Sequence, residues 1–110
     1  MLLDPSQGSP SPPSEAGELR LTGEMDIATA ETMLEPAYRL LADGHRHIVL
    51  DGAGVTFCDS QGLNAMLRLL NAVPPGGSVT VVEASEALFT LLTLTGLLDR
   101  FGMAEPLPGA

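Results

Sequence analysis

The chain has 110 residues, 45% of them hydrophobic, and sets 14 acidic residues against 5 basic ones for a formal charge of −9. That length allows one compact domain with one core, and the acidic balance argues against nucleic acid or anionic membrane as the main partner. With a single cysteine, Cys58, no internal disulfide can form, which excludes a secreted, disulfide-stapled scaffold.

Residues 1–17 read as a disordered tail, since ten of the seventeen are Pro, Ser or Gly and little apolar surface can be buried there. Residues 18–110 read as the folded domain. The N-terminus shows neither the basic start nor the apolar core of a signal peptide, and no run approaches the ~20 apolar residues of a membrane span. The cytoplasm is the expected compartment. Leu19 and Leu21 alternate with Glu18, Arg20 and Thr22, the pattern of a half-buried strand. Gly23-Glu24-Met25-Asp26 then predicts a turn, with Asp26 capping the helix that follows. That helix carries Ala30, Met33, Leu34, Ala37, Leu40 and Leu41 on its apolar stripe and ends at Gly44. Pro36 falls inside it and is expected to remove a hydrogen bond and bend it.

His47 to Leu50 predicts a short buried strand closed by an Asp51-Gly52-Ala53-Gly54 turn. The apolar run from Val55 leads into Cys58-Asp59-Ser60, and a helix to about Asn71 follows, with Leu63, Met66, Leu67 and Leu70 at i, i+3, i+4 and i+7. Pro74-Pro75-Gly76-Gly77 is a break. Ser78 to Glu83, with Val79, Val81 and Val82, predicts a third strand. Ser85 is placed to cap a last helix whose Leu88, Leu91, Leu92 and Thr95 share a face and which stops at Gly96. Leu97, Leu98, Phe101 and Met103 form an apolar coda expected to fold onto the core. Strands alternating with helices predict an α/β domain, a small mixed, largely parallel sheet with helices packed on it.

The candidate chemistry centres on Asp59-Ser60. Ser60, or Asp59 before it, stands where a helix begins, and the first amides there have no intrahelical partner. A hydroxyl at that place can simply cap the helix. If phosphorylated, it would set its phosphate in an anion site, with Asp59 opposing the charge. Gly62 would let another surface approach Ser60 closely. Asp59 itself could accept phosphate or bind Mg²⁺, provided Asp26 and Asp51 gathered beside it. A Ser-His-Asp triad is disfavoured because His45 and His47 precede a strand whose far end leads to Ser60, roughly 13–16 Å away. Cys58 reads as a small buried hydrophobe whose thiol Asp59 would make less acidic. No cysteine–histidine spacing suits zinc, and Gly52-Ala53-Gly54 lacks the rest of a dinucleotide fingerprint.

Three stretches together resemble the STAS domain of bacterial anti-sigma-factor antagonists. Gly23-Glu24-Met25-Asp26 resembles its early G-E-x-D turn, Ile48 to Asp51 with Val55 to Leu63 its central signature, and Leu94-Thr95-Gly96-Leu97 its L-T-G-L ending. The resemblance spans residues 18–103 in the expected order. It implies a STAS-like fold and a phosphorylation-controlled binding module, not an enzyme, which needs no cofactor or metal of its own and is a monomer when free. The implied partners are an anti-sigma factor that is also a serine kinase, and a PP2C-type phosphatase that resets the switch. Ser60 would be the phosphoacceptor, and Asp26, Asp59, Gln61, Gly62 and Leu63 would form the partner-binding surface. The alternative implied role is a non-phosphorylated scaffold or a subunit of a larger regulatory or transport assembly. The chain departs from the family pattern in having the Pro/Ser-rich tail where an additional first strand usually stands, and Glu83-Ala84-Ser85 where Pro-Ser usually opens the last helix.

Overall fold

The computed structural model describes residues 16–101. In chain order they form strand β1 (Ala16–Met25), helix α1 (Ala30–Ala42), strand β2 (His47–Cys58), helix α2 (Ser60–Ala72), strand β3 (Ser78–Val82), helix α3 (Glu86–Leu94) and a 3₁₀ turn (Leu98–Phe101). The sheet has the order β1-β2-β3, and both pairings are parallel. The expected tail lies outside the described residues except for Ala16 and Gly17, which already belong to β1.

Two expected turns are corrected. Gly23, Glu24 and Met25 continue β1, and Asp51 to Gly54 continue β2, which runs as one 12-residue strand. Asp51 to Gly54 is bulged rather than turned, and Gly23 lies opposite a second bulge in β2. The register passes from Arg20↔Asp51 to Thr22↔Gly54, and from Gly23↔Val55 to Glu24↔Phe57, so β2 twice holds one residue more than β1. A bulge keeps a strand going while bending it, which is how a Gly-rich signal of this kind is absorbed without ending the strand. Gly54 is needed there for space, because a Cβ would come within 2.8 Å of Thr22 Cγ2 and 2.9 Å of the Leu21 carbonyl oxygen.

One core joins the layers. Leu21 and Met25 of β1, Ile48, Leu50 and Val55 of β2, and Val79 and Val81 of β3 are buried with Leu34 and Ala37 of α1, Leu63, Met66 and Leu69 of α2, and Leu88 and Leu92 of α3. The strand alternation read from Leu19 and Leu21 holds, with Glu18, Arg20 and Thr22 exposed on the opposite side. Helix α1 runs through Pro36 to Ala42. Gly44, at φ +105°, follows its end, as Gly96, at φ +74°, follows α3. Ser85 Oγ accepts from the Leu88 amide at 3.2 Å, the expected cap. Phe101 is fully buried, so the coda folds back as far as the description extends; Met103 lies outside it.

Candidate functional site

The C-terminal ends of β1 and β2 meet at the start of α2. Met25 pairs with Cys58, and the Asp59 amide donates to the Met25 carbonyl at 3.3 Å. Gly62, one turn into α2, rests on the same carbonyl group. A Cβ at Gly62 would overlap the Met25 oxygen and reach 2.9 Å from its carbonyl carbon. The expectation that Gly62 leaves room for a partner is therefore corrected: the room is filled by this chain's own backbone. Leu63, 4% exposed, belongs to the core. Both residues hold the first turn of α2 in place, and neither presents itself outward.

The cap of α2 is Asp59 rather than Ser60. The Asp59 Oδ1 accepts from the amides of Gln61 and Gly62, each at 3.0 Å, in extended backbone that suits an N-cap. A further expectation changes with it. The amides that would have cradled a phosphate already serve a carboxylate, so a phosphate on Ser60 would stand outside that cradle. Ser60, the first helical residue, is exposed, as is Gln61. The nearest arginine along α2, Arg68, lies eight residues on, roughly 12 Å along the axis, and faces Glu31 of α1 at 3.6 Å.

Asp26 sits in the neighbouring loop between β1 and α1. It does not cap α1 directly; its Oδ1 accepts from the amides of Ala28 at 2.9 Å and Thr29 at 3.1 Å, tightening the approach to the helix. The Thr29 hydroxyl accepts from the Asp26 amide at 3.0 Å and donates to the Glu24 carbonyl at 2.6 Å. Asp51 is likewise engaged locally, with the Ala53 amide at 3.0 Å and Arg20 at 3.8 Å. The three aspartates thus do not gather, and among the described residues no group of three acidic, His or Cys side chains could hold a metal ion. His47 bonds Ser78 at 2.9 Å at the opposite end of β2. It stands roughly 35 Å from Cys58 along an extended strand, so the histidines take no part in this corner. Cys58 is buried, and burial first, with the Asp59 charge second, pushes its thiol up to about 11.

The sequence reading missed two large apolar side chains at this end of the molecule. Ile27 is 77% exposed in the loop after Asp26, and Phe57 is 47% exposed one residue before Cys58. For Phe57 the signal was present but masked. Simple alternation from Val55 would bury it, and only the extra residue of the bulge turns it outward while Cys58 goes in.

A model of the family described as "Mlab, STAS domain" matches residues 10–105. The chain belongs to the STAS family. It is similar to an anti-sigma-B factor antagonist from Staphylococcus aureus (strain NCTC 8325 / PS 47), being 27% identical over 89 residues that cover 80% of this chain and 82% of the relative. The same protein from strain COL matches to the same extent. Among solved structures, the anti-sigma factor antagonist SpoIIAA in its unphosphorylated form superposes with a TM-score of 0.63, at 21% identity, over 84% of this chain and 82% of that one. At that identity the likeness establishes the fold alone, a STAS α/β fold with a parallel sheet.

Proposed function

We propose that this STAS protein is an anti-sigma-factor antagonist. It binds an anti-sigma factor that is also a serine kinase, releases the sigma factor that the kinase holds, and is inactivated when Ser60 is phosphorylated. It acts as a cytoplasmic binding module rather than an enzyme, and a PP2C-type phosphatase resets it. The observation that carries the reading is the division of labour at the start of α2. Asp59 takes over the cap, which leaves the Ser60 hydroxyl exposed beside it. The names of the relatives support the general role. The surroundings of Ser60 support a docked partner: Gln61 exposed, the Asp26 loop alongside, and Ile27 and Phe57 as exposed apolar groups.

A phosphate would add roughly −1.5 to −2 of charge where Asp59 is already negative and the helix amides are engaged. Among the described residues the arginine of α2, Arg68, is engaged with Glu31, so the charge bears on the partner. An uncompensated charge buried in an interface costs several kcal/mol, a change of orders of magnitude in affinity. With Ser60→Ala and Ser60→Asp as baits, the first is expected to retain a serine-kinase anti-sigma factor and the second to lose it. Equal retention by both variants overturns the reading.

A second reading has its own support. The matching family model is described as "Mlab, STAS domain", without mention of a sigma factor, and Asp59, Gly62 and Leu63 each have a structural duty that needs no phosphate. In that reading the chain is a non-phosphorylated scaffold or a subunit of a larger regulatory or transport assembly, and both Ser60 variants keep their partner.

A further inference from the structure

Strand β2 is longer than its neighbour on one side. β1 pairs with it through Cys58, whereas β3 pairs with it only from His47 to Asp51. After Val82 the chain leaves the sheet at Glu83, a non-glycine residue at φ +54°, and enters α3. The Ser85 amide then bonds the Gly52 carbonyl at 3.0 Å. That contact closes the edge of β2 as far as Gly52. Beyond it, among the described residues, Val55 to Phe57 have a strand on the β1 side only. Thr56 is the extra residue of the second bulge and faces no residue of β1 either.

The strand position that β3 vacates is an open cavity of about 580 Å³, lined by Val55 and Thr56 of β2 and by Ser85, Glu86, Ala87 and Thr90 at the start of α3. An unpaired strand edge is a template for another extended backbone, and such additions draw affinity from main-chain hydrogen bonds and selectivity from flanking pockets. The lining gives one accessible apolar side chain, Ala87, three hydroxyl groups and the Glu86 carboxylate, above the buried Val55. The one charged lining residue, Glu86, is acidic, as is the chain as a whole.

We propose that this groove takes an extended segment of a partner protein, added alongside the β2 backbone at Val55–Phe57, with small apolar side chains turned to Ala87 and a basic side chain reaching Glu86. The proposal does not rest on phosphorylation of Ser60. The surface lies immediately before the Asp59-Ser60 corner, so one partner can engage both.

The test titrates a capped hexapeptide of alternating arginine and valine into the full ¹⁵N-labelled chain, beside the same peptide N-methylated at alternate residues. The two peptides carry equal charge, but the second cannot complete a ladder. The expected result is shifts confined to Val55–Phe57 and Ser85–Thr90, slowed amide exchange at Thr56, and affinity about tenfold weaker for the methylated peptide, the loss of one or two ladder bonds. Ala87→Phe, which fills the groove from a half-buried position in the first turn of α3, should abolish the shifts. Glu86→Gln should weaken binding about threefold and flatten its salt dependence. Equal binding of both peptides, or shifts spread over the acidic surface, would show attraction by charge alone and overturn the proposal. So would shifts that persist in Ala87→Phe, or concentration-dependent shifts without peptide, which would place a second copy in the groove.

Discussion

Replacing Gly62 by alanine adds one methyl group at the point where α2 rests on β1. At an ordinary helix position the change stabilises by about 1 kcal/mol, because glycine has more backbone freedom to lose on folding. Here the added Cβ would overlap the Met25 carbonyl oxygen and come within 2.9 Å of both the carbonyl carbon and Cβ of Met25. Backbone held in a parallel sheet cannot swing aside as a side chain can, so the cost belongs near the upper end of the roughly 1–3 kcal/mol of overpacking. The net expectation is a loss of about 2 kcal/mol, or about 8–16 °C in Tm for a folded unit of this size. Gly52→Ala is the internal control. Its Cβ would meet Leu88 Cδ2 at 2.8 Å, the far end of a flexible side chain, so it should lose less than half as much. Thermal and urea unfolding by circular dichroism of the three proteins measures both. A Gly62→Ala variant as stable as the parent, or more stable than Gly52→Ala, would refute the packing of α2 on Met25 and with it the corner that holds Ser60.

Asp59→Ala removes an acceptor for two amides and should cost about 1–2 kcal/mol, whereas Ser60→Ala should stay within about 0.5 kcal/mol of the parent; chemical denaturation ranks the two, and the reverse order would return the cap to Ser60. The Cys58 thiol, raised from 9.0 to about 11, keeps its proton in the folded chain where the unfolded chain has lost it. Its contribution to stability is therefore fully present below pH 9 and disappears as the pH rises from 9 to 11. Urea midpoints across that range should fall more steeply for the parent than for Cys58→Ala, and iodoacetamide at pH 8 should modify the folded chain far more slowly than the unfolded one.

The order of strands and helices, the capping serine of α3 and the stops at Gly44 and Gly96 were legible in the residues, because each rests on local periodicity or on a residue with a single conformational use. The bulges were not. Gly23 and the Asp51–Gly54 stretch carry turn signals, and only pairing with a strand elsewhere in the chain decides between turning and bulging. The site was legible in part. A helix start at Asp59-Ser60 follows from the sequence, as does Leu63 on the apolar face of that helix, but which side chain caps it depends on backbone angles, and Gly62 reads as open until Met25 is placed beneath it. Phe57 needed the bulge to be turned outward, and the vacated strand position beside Thr56 exists only because β3 ends at Val82.

In the proposed function, Ser60 carries the switch. Intact-mass spectrometry with peptide mapping, on protein recovered from its native cells before and after treatment with a PP2C-type phosphatase, tests it most directly. The expected result is one phosphate that maps to Ser60 and is removed by the phosphatase. A protein that carries no phosphate at Ser60 under any of several stress conditions, while holding a constant set of partners, would contradict it.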